Sequence, residues 1–323
     1  MKVLVTGGLG LIGHNVVQRL ESMGHDVLVV DNMTDYGIIP QAELNYLLKE
    51  RRSKIKSRCV AVDISTSYAH TLFADFCPEV VIHLASFPRQ KVVNANPQNG
   101  ARWMIEGTIN VLEAAVKYKA RRIVYASSSM VYGDFNHCIK EDEPCHPQGQ
   151  YGIMKYMGEK LVQDYERKGL IESVIIRPSA VYGPLDVEDR VISKFMLTAM
   201  RGGTLKVNGR EEMLDFTFVD DAADGFVAAA LSDIAAGQVY NITRGASKTL
   251  YEAAQMAVSI VGKGSIEIRE KDADFPSRAA LNIEKARRDI GFDPKVDVEG
   301  GFRSYFDWFN ESSYWQGQLQ NKQ

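Results

Sequence analysis

The sequence predicts an α/β protein, a doubly wound parallel sheet followed by a smaller C-terminal α/β lobe. Three observations carry this. Short apolar runs alternate with helix-length amphipathic stretches through the first half of the 323-residue chain. The runs are continuously apolar, as strands buried on both faces are. Beyond about residue 180 the pattern loosens into shorter mixed elements punctuated by Gly and Pro, as in VYGPLD and RGGTLKVNG.

Taken in order, the strands are VLVT (3–6), VLVV (27–30), CVAV (59–62), VVIHLA (80–85), RIVYAS (122–127) and SVIIRP (173–178). The expected organisation is a first domain over 1–180 with return segments from about 213–243, a second lobe over 181–311, and a polar tail over 312–323 that frays. The composition, 45% hydrophobic and 24% charged, is enough for one large core or two smaller ones. A net charge of -3 excludes a general attraction to nucleic acid or to an anionic membrane. The basic run KERRSKIKSR (49–58) reads as a solvated helix face or loop.

Four cysteines are too few for a disulfide framework and suit a reducing cytoplasm. HCIKEDEPCH (137–146) gathers two His, two Cys and three acids, but its spacing is not that of a zinc site, so no metal is expected. The opening MKVLVTGGLGLIG is too glycine-rich for a secretion signal, and no run approaches the ~18 apolar residues that span a bilayer. The expectation is a soluble, cytoplasmic protein without membrane or nucleic-acid partners.

After the first strand, Gly7, Gly8, Gly10 and Gly13 open a helix that runs to Met23-Gly24. Glycines there permit a tight turn and close approach of backbone N–H groups, with Leu11 and Ile12, to a pyrophosphate at a helix N-terminus. Asp31 ends the second strand 18 residues beyond Gly13, near the ~20 expected of a partner for a ribose 2′-hydroxyl. A carboxylate there repels a 2′-phosphate, and Asn32 beside it supplies no cation, so the cofactor is expected to be NAD rather than NADP. Asp63 and Ile64 are placed for the adenine, and Leu84, Ala85 and Ser86 for the nicotinamide side.

Tyr151 and Lys155 lie four residues apart, on one helix face. A nearby ammonium favours phenolate, so Tyr151 is expected to exchange protons with an alcohol near neutral pH. Tyr156 and Lys160 repeat the spacing but point roughly 140° away around the helix. Tyr156 is expected to pack.

TGGLGLIG (6–13), Asp31, HLAS (83–86), SSSMVYG (127–133), EDEPCHP (141–147), YGIMK (151–155), RPSAVYGP (177–184) and LDFTFVDDAADG (214–225) together resemble the extended short-chain dehydrogenase/reductase family, specifically its nucleotide-sugar epimerases and dehydratases, over about residues 1–310. The resemblance implies a Rossmann lobe holding NAD, a smaller lobe holding a nucleoside-diphosphate sugar, and a homodimer paired through helices near 103–118 and 151–168. It implies Tyr151 as acid/base, Lys155 as partner of the nicotinamide ribose, and Pro178 and Ser179 as further cofactor contacts. Counting back three from Val131 selects Ser128 as the catalytic hydroxyl; strand alternation turns Ser127 and Ser129 elsewhere, though Ser129 remains a candidate sugar contact.

The family's dehydratases carry Asp-Glu after this hydroxyl, its decarboxylases a Glu, and its 3,5-epimerases a Cys where this chain has Met130. With Ser129-Met130 there, 4-epimerisation is expected, hydride out and hydride back. The alternatives are a plain NAD-dependent dehydrogenase or ketoreductase, or another nucleotide-sugar-modifying enzyme of the same family. The chain departs from the family at Leu214 (usually Arg), Ala180 (usually Asn) and Met104 (commonly Asn). Cations available to compensate are Arg190, Arg210, Arg269, Lys271 and Arg278, while Arg89 and Lys91 are placed to meet an acidic sugar. Arg89 and Arg190 are the expected cationic substrate contacts.

Overall fold

The structure is a computed structural model that describes residues 1–34, 39–87, 90–272 and 275–320. The first part of the chain runs β1 (Lys2–Thr6), α1 (Leu11–Ser22), β2 (Asp26–Asp31), α2 (Gln41–Ser53), β3 (Arg58–Ala61), α3 (Tyr68–Phe76) and β4 (Val80–His83). It continues through α4 (Gln90–Ala95), α5 (Pro97–Ala101), α6 (Gly107–Lys117), β5 (Arg122–Ala126), α7 (Gly149–Arg167) and β6 (Glu172–Pro178). Then come β7 (Val181–Tyr182), α8 (Val191–Met200), β8 (Thr204–Asn208), β9 (Met213–Leu214), β10 (Thr217–Phe218), α9 (Val219–Leu231) and β11 (Gln238–Ile242). The remaining elements are β12 (Lys248–Thr249), α10 (Leu250–Val261), β13 (Ser265–Arg269), α11 (Glu284–Ile290), α12 (Val298–Glu311) and α13 (Ser313–Gln320).

Seven strands form one parallel sheet in the order β11-β6-β5-β4-β1-β2-β3. Their continuous apolarity has the expected cause. Val3, Val5, Val27 and Val29 face one layer with α1 and α9, whereas Leu4, Leu28 and Val30 face the other with α3 and α6. The winding direction reverses between β1 and β4, so their carboxyl ends open the crevice where ligands of such sheets bind. β11 is a seventh strand beyond the six apolar runs. Its QVYNI pattern is short and only partly buried, typical of a sheet edge.

A second cluster gathers α8, α10, α12 and α13 around Tyr182, Phe216, Phe218, Phe302, Tyr305 and Phe309, beside the parallel pair β8–β13. The tail departs from expectation. Residues 313–320 are helical, Trp315 is 1% exposed and meets Phe309 edge-on at 5.5 Å, and Tyr314 stacks on Tyr46 of α2 at 4.4 Å. Two aromatic side chains outweigh the polar composition, because each buries far more apolar surface than the Gln and Ser around it could offset.

The basic run also departs from expectation at one residue. Arg51 is buried and donates to the carbonyls of Leu9 (3.0 Å) and Leu185 (2.6 and 3.2 Å). It thereby ties the loop after β1 to the segment after β7.

Replacing Trp315 with Ala should cost about 3 kcal/mol of stability, the usual cost of deleting a large buried aromatic. Equilibrium urea denaturation measures this, and a frayed tail would show no change.

Candidate active site

The glycine loop fills the β1 side of the crevice. Gly7 adopts φ +68°, and a Cβ there would lie 2.7 Å from the Ala85 nitrogen, so the turn can be this tight only without a side chain. Gly7 N–H donates to Val30 O (2.7 Å), while Leu84 N–H donates to Thr6 O (3.1 Å) and Ala85 N–H to Thr6 Oγ1 (3.2 Å). The loops after β1, β2 and β4 are thus held together. Gly13, in the first turn of α1, packs against Gly7 and Gly8 so closely that a Cβ would collide with backbone. Leu11 and Ile12 form the start of α1, with Gly10 as its N-cap.

Asp31 receives N–H groups from Leu9 (3.0 Å) and Met33 (2.8 Å). Burial pushes its pKa up, with those two bonds and Arg51 pulling down. Asn32 accepts from Thr34 N–H at 3.3 Å. Asp63 is held by Ser65 and by Trp103 Nε1 (3.0 Å); burial raises its pKa, but these hydrogen bonds outweigh it and the net shift is downward. Ile64 is buried beside Gly107, and Ser86 follows Ala85 at the edge of the crevice.

At the carboxyl ends of β5 and β6 the three serines take three directions. Ser127 Oγ hydrogen-bonds Glu159 in the interior, Ser128 Oγ accepts Met130 N–H (3.2 Å) and hydrogen-bonds Tyr151, and Ser129 Oγ accepts from Arg278 Nη1 at 3.4 Å. Met130 is buried. Tyr151 and Lys155 lie in the first two turns of α7, with Lys155 Nζ donating to Ala126 O at 2.7 Å and lying 6.0 Å from the centre of the Tyr151 ring.

The electrostatics differ from expectation. Burial raises the Tyr151 pKa, opposed by Arg190, by the Ser128 hydrogen bond and by Arg278. Its net shift is upward, and the opposing charges are the two arginines. Burial lowers Lys155 to about 7, with Glu159 pulling it back up. A desolvated ammonium under the strand ends is a weaker source of potential than its sequence spacing suggests. Glu159 itself is fully buried and paired with Arg177 (Nε 2.9 Å, Nη2 2.8 Å). Glu159 lies four residues beyond Lys155, and that spacing is the one sequence signal that the two share a helix face.

Pro178 ends β6, and Ser179 Oγ is buried with no hydrogen-bond partner among the described residues. Ala180 holds φ +37°, an uncommon conformation for a residue with a Cβ. Of the other cations, Arg210 covers the Tyr251 ring, Arg269 pairs with Glu267, Lys271 with Glu212, and Lys91 with Asp272. Arg89 lies outside the described residues. Tyr156 packs against the Val131, Tyr132 and Phe135 cluster, with Lys160 Nζ over its ring. In the HCIKEDEPCH segment, Glu143 binds His137 (2.7 Å) while Glu141 turns inward to Asn241 N–H (2.9 Å).

A dinucleotide fits these residues. Gly10 has only the Gly7 carbonyl near the place of a Cβ, Ser179 offers an unengaged hydroxyl, and Lys155 makes one hydrogen bond among the described residues with three N–H groups to give. Fold and site together define a dinucleotide-dependent enzyme. Residues 3–243 match the NAD dependent epimerase/dehydratase family, and the chain belongs to that family. It is 30% identical to a UDP-glucose 4-epimerase of Mycolicibacterium smegmatis over 97% of this chain and 100% of that one. It is 26% identical to the UDP-glucuronic acid 4-epimerase of Bacillus cereus, solved in complex with UDP-glucuronic acid and NAD, with a TM-score of 0.88 over 96% of this chain and 99% of that one. It is 25% identical to the Thermus thermophilus UDP-glucose 4-epimerase solved with NAD, with a TM-score of 0.85 over 97% and 100%.

Behind the site, Asp215 is fully buried and accepts from Thr243 Oγ1 (2.9 Å), Leu281 N (3.0 Å) and Gly245 N (3.2 Å). Burial nonetheless raises its pKa to about 6. A carboxyl whose folded pKa exceeds its unfolded one costs stability above the folded value, and the cost disappears as pH falls to the unfolded value near 4. Asp215→Asn should therefore stabilise the protein by about 2 kcal/mol at pH 8, with the gain shrinking between about pH 6 and 4. Urea denaturation at pH 8 and pH 4 tests it; a loss at pH 8 that shrinks toward pH 4 would show that the charge is favourable, and a loss equal at both would trace to the amide's own contacts.

Proposed function

We propose that the protein is an NAD-dependent nucleotide-sugar 4-epimerase, acting on the C4 hydroxyl of a nucleoside-diphosphate sugar. The observation that carries it is the Ser128–Tyr151 hydrogen bond beside Lys155, with Ser129 and Met130 offering neither acid nor thiol for a further proton transfer. Bound NAD supplies the chemistry of accepting a hydride and giving it back. Gly7, Gly10, Leu11, Ile12 and Gly13 cradle its pyrophosphate, Asp31 and Asn32 its adenosine ribose, Asp63 and Ile64 the adenine, and Leu84, Ala85, Ser86, Pro178 and Ser179 the nicotinamide half.

The chain's own residues handle one proton. Tyr151 Oη takes it from the sugar hydroxyl and returns it, Ser128 Oγ orients that hydroxyl, and Lys155 positions the nicotinamide ribose. Burial raises the tyrosine's pKa, and Arg190 and Arg278 oppose this, stabilising the phenolate the step requires. Arg89 and Arg190 contact the substrate.

The protein works in the cytoplasm as a homodimer. The four cysteines are free thiols, and among the described residues no helix is long and apolar enough to cross a membrane. Ile153 and Met157, four residues apart on α7, are exposed at 41% and 47%, and Ile109 of α6 is exposed as well.

Tyr151→Phe should lower kcat by at least ~1,000-fold with NAD still retained through purification. In deuterated water the wild-type enzyme should give a C4 epimer without deuterium at C5 by NMR; exchange at C3 or C5 would sink the assignment, and a need for stoichiometric NAD would favour a dehydrogenase. Met157→Asp should convert the dimer to monomer in sedimentation velocity, whereas an unchanged mass would place the contact elsewhere.

A further inference from the structure

One of the two arginines that oppose burial at Tyr151 also reaches the serine next to Ser128. Arg278 joins Met213 in an isolated antiparallel bridge, which turns its side chain toward the turn after β5. Nη1 donates to Ser129 Oγ at 3.4 Å, and Nε is buried without a hydrogen-bond partner among the described residues. Ser129 is itself 1% exposed.

No carboxylate forms an ion pair with this guanidinium among the described residues. Glu212, whose charge Arg278 feels, is already bound by Lys271 (3.3 Å) and by Ser277 Oγ (3.1 Å). Burial lowers the Arg278 pKa to about 10, with Tyr151 and Glu212 acting to raise it. A desolvated cation without a counter-ion is costly. An arriving anion would offset that cost, and a planar guanidinium suits a carboxylate.

Position selects the anion. Arg278 interacts with Tyr151, where the reacting sugar carbon must sit, and hydrogen-bonds Ser129, the neighbour of Ser128. The diphosphate lies on the other side of the sugar ring from the reacting hydroxyl. We propose that Arg278, with Ser129 donating its hydroxyl proton alongside, recognises a carboxylate on the sugar, so that the substrate is a nucleoside-diphosphate uronic acid. This rests on the nucleotide-sugar assignment above and narrows it.

Two measurements separate the inference from that assignment. The first is calorimetric binding of UDP-glucuronate, UDP-glucose and UDP to the NAD-loaded wild type, Arg278→Met and Arg278→Lys, and the second is steady-state turnover of the two sugars. UDP-glucuronate should bind the wild type ~100-fold more tightly than UDP-glucose, Arg278→Met should abolish that preference, and Arg278→Lys should keep part of it. Affinity for UDP alone should change by less than about twofold, since its phosphates are remote from the guanidinium. Equal weakening of all three ligands would mean that Arg278 holds the diphosphate, and equal weakening of the two sugars with UDP unchanged would reduce it to a brace for Ser129. Either result overturns the inference. Absence of turnover with both sugars would sink the epimerase assignment alone, because the binding preference is read without turnover.

Discussion

Glu159 and Arg177 form an ion pair shut off from water, and the groups at the reacting centre are arranged around it. Glu159 lies on α7 one turn beyond Lys155, accepts the Ser127 hydroxyl beside Ser128, and pairs with Arg177 near the end of β6. Arg177 in turn donates to Tyr132 Oη (2.9 Å) and to Glu141 O (3.1 Å), and Tyr132 donates to Asn241 on β11 (2.8 Å). A buried pair of this kind adds little net stability, since desolvation consumes most of the Coulomb attraction. Its effect is geometric. Removing one partner would leave a buried charge, so α7, the serine turn and two strand ends are locked in a single arrangement.

That lock fixes where charge sits around Tyr151. The phenol is pushed toward its neutral form by burial and pulled back by Arg190, Ser128 and Arg278. These groups come from the segment after β7, the turn after β5 and the segment after β13. Lys155 is turned toward Ala126 O and is itself desolvated. The two charges that oppose burial at the tyrosine, Arg190 and Arg278, both lie beyond residue 180, so residues 1–180 alone would lack them.

Helix α2 contributes contacts to distant parts of the chain. Arg51 bridges Leu9 in the glycine loop and Leu185, whose φ of +68° turns its carbonyl to the guanidinium and whose segment leads to Arg190. Such a conformation is unfavourable for leucine and persists because the guanidinium and the surrounding core hold it. At the far side, Tyr314 stacks on Tyr46, and Tyr46 Oη meets Ser312 Oγ at 2.7 Å. The glycine loop and the segment carrying Arg190 are thus mechanically continuous.

Much of this is legible from residues alone. Six of the seven sheet strands lie at the apolar runs, because a strand buried on both faces has no polar positions to obscure it. The glycine loop and the Tyr151–Lys155 spacing are local in the same sense, each set by turn or helix geometry within a few residues. Charged side chains were not legible in this way. Arg51 in a basic run, Glu159 on a polar helix and Arg278 before an alanine pair look like surface charges, and a polar tail hides Trp315. Local geometry is written in neighbouring residues, so the sequence by itself determined the sheet, the loop and the tyrosine–lysine pair. Which charges are buried, and against what, depends on contacts between residues distant in the chain, 149 apart for Arg278 and Ser129. That was decided only by the tertiary structure, because burial, which sets a charge's partners and its pKa, belongs to the packed chain.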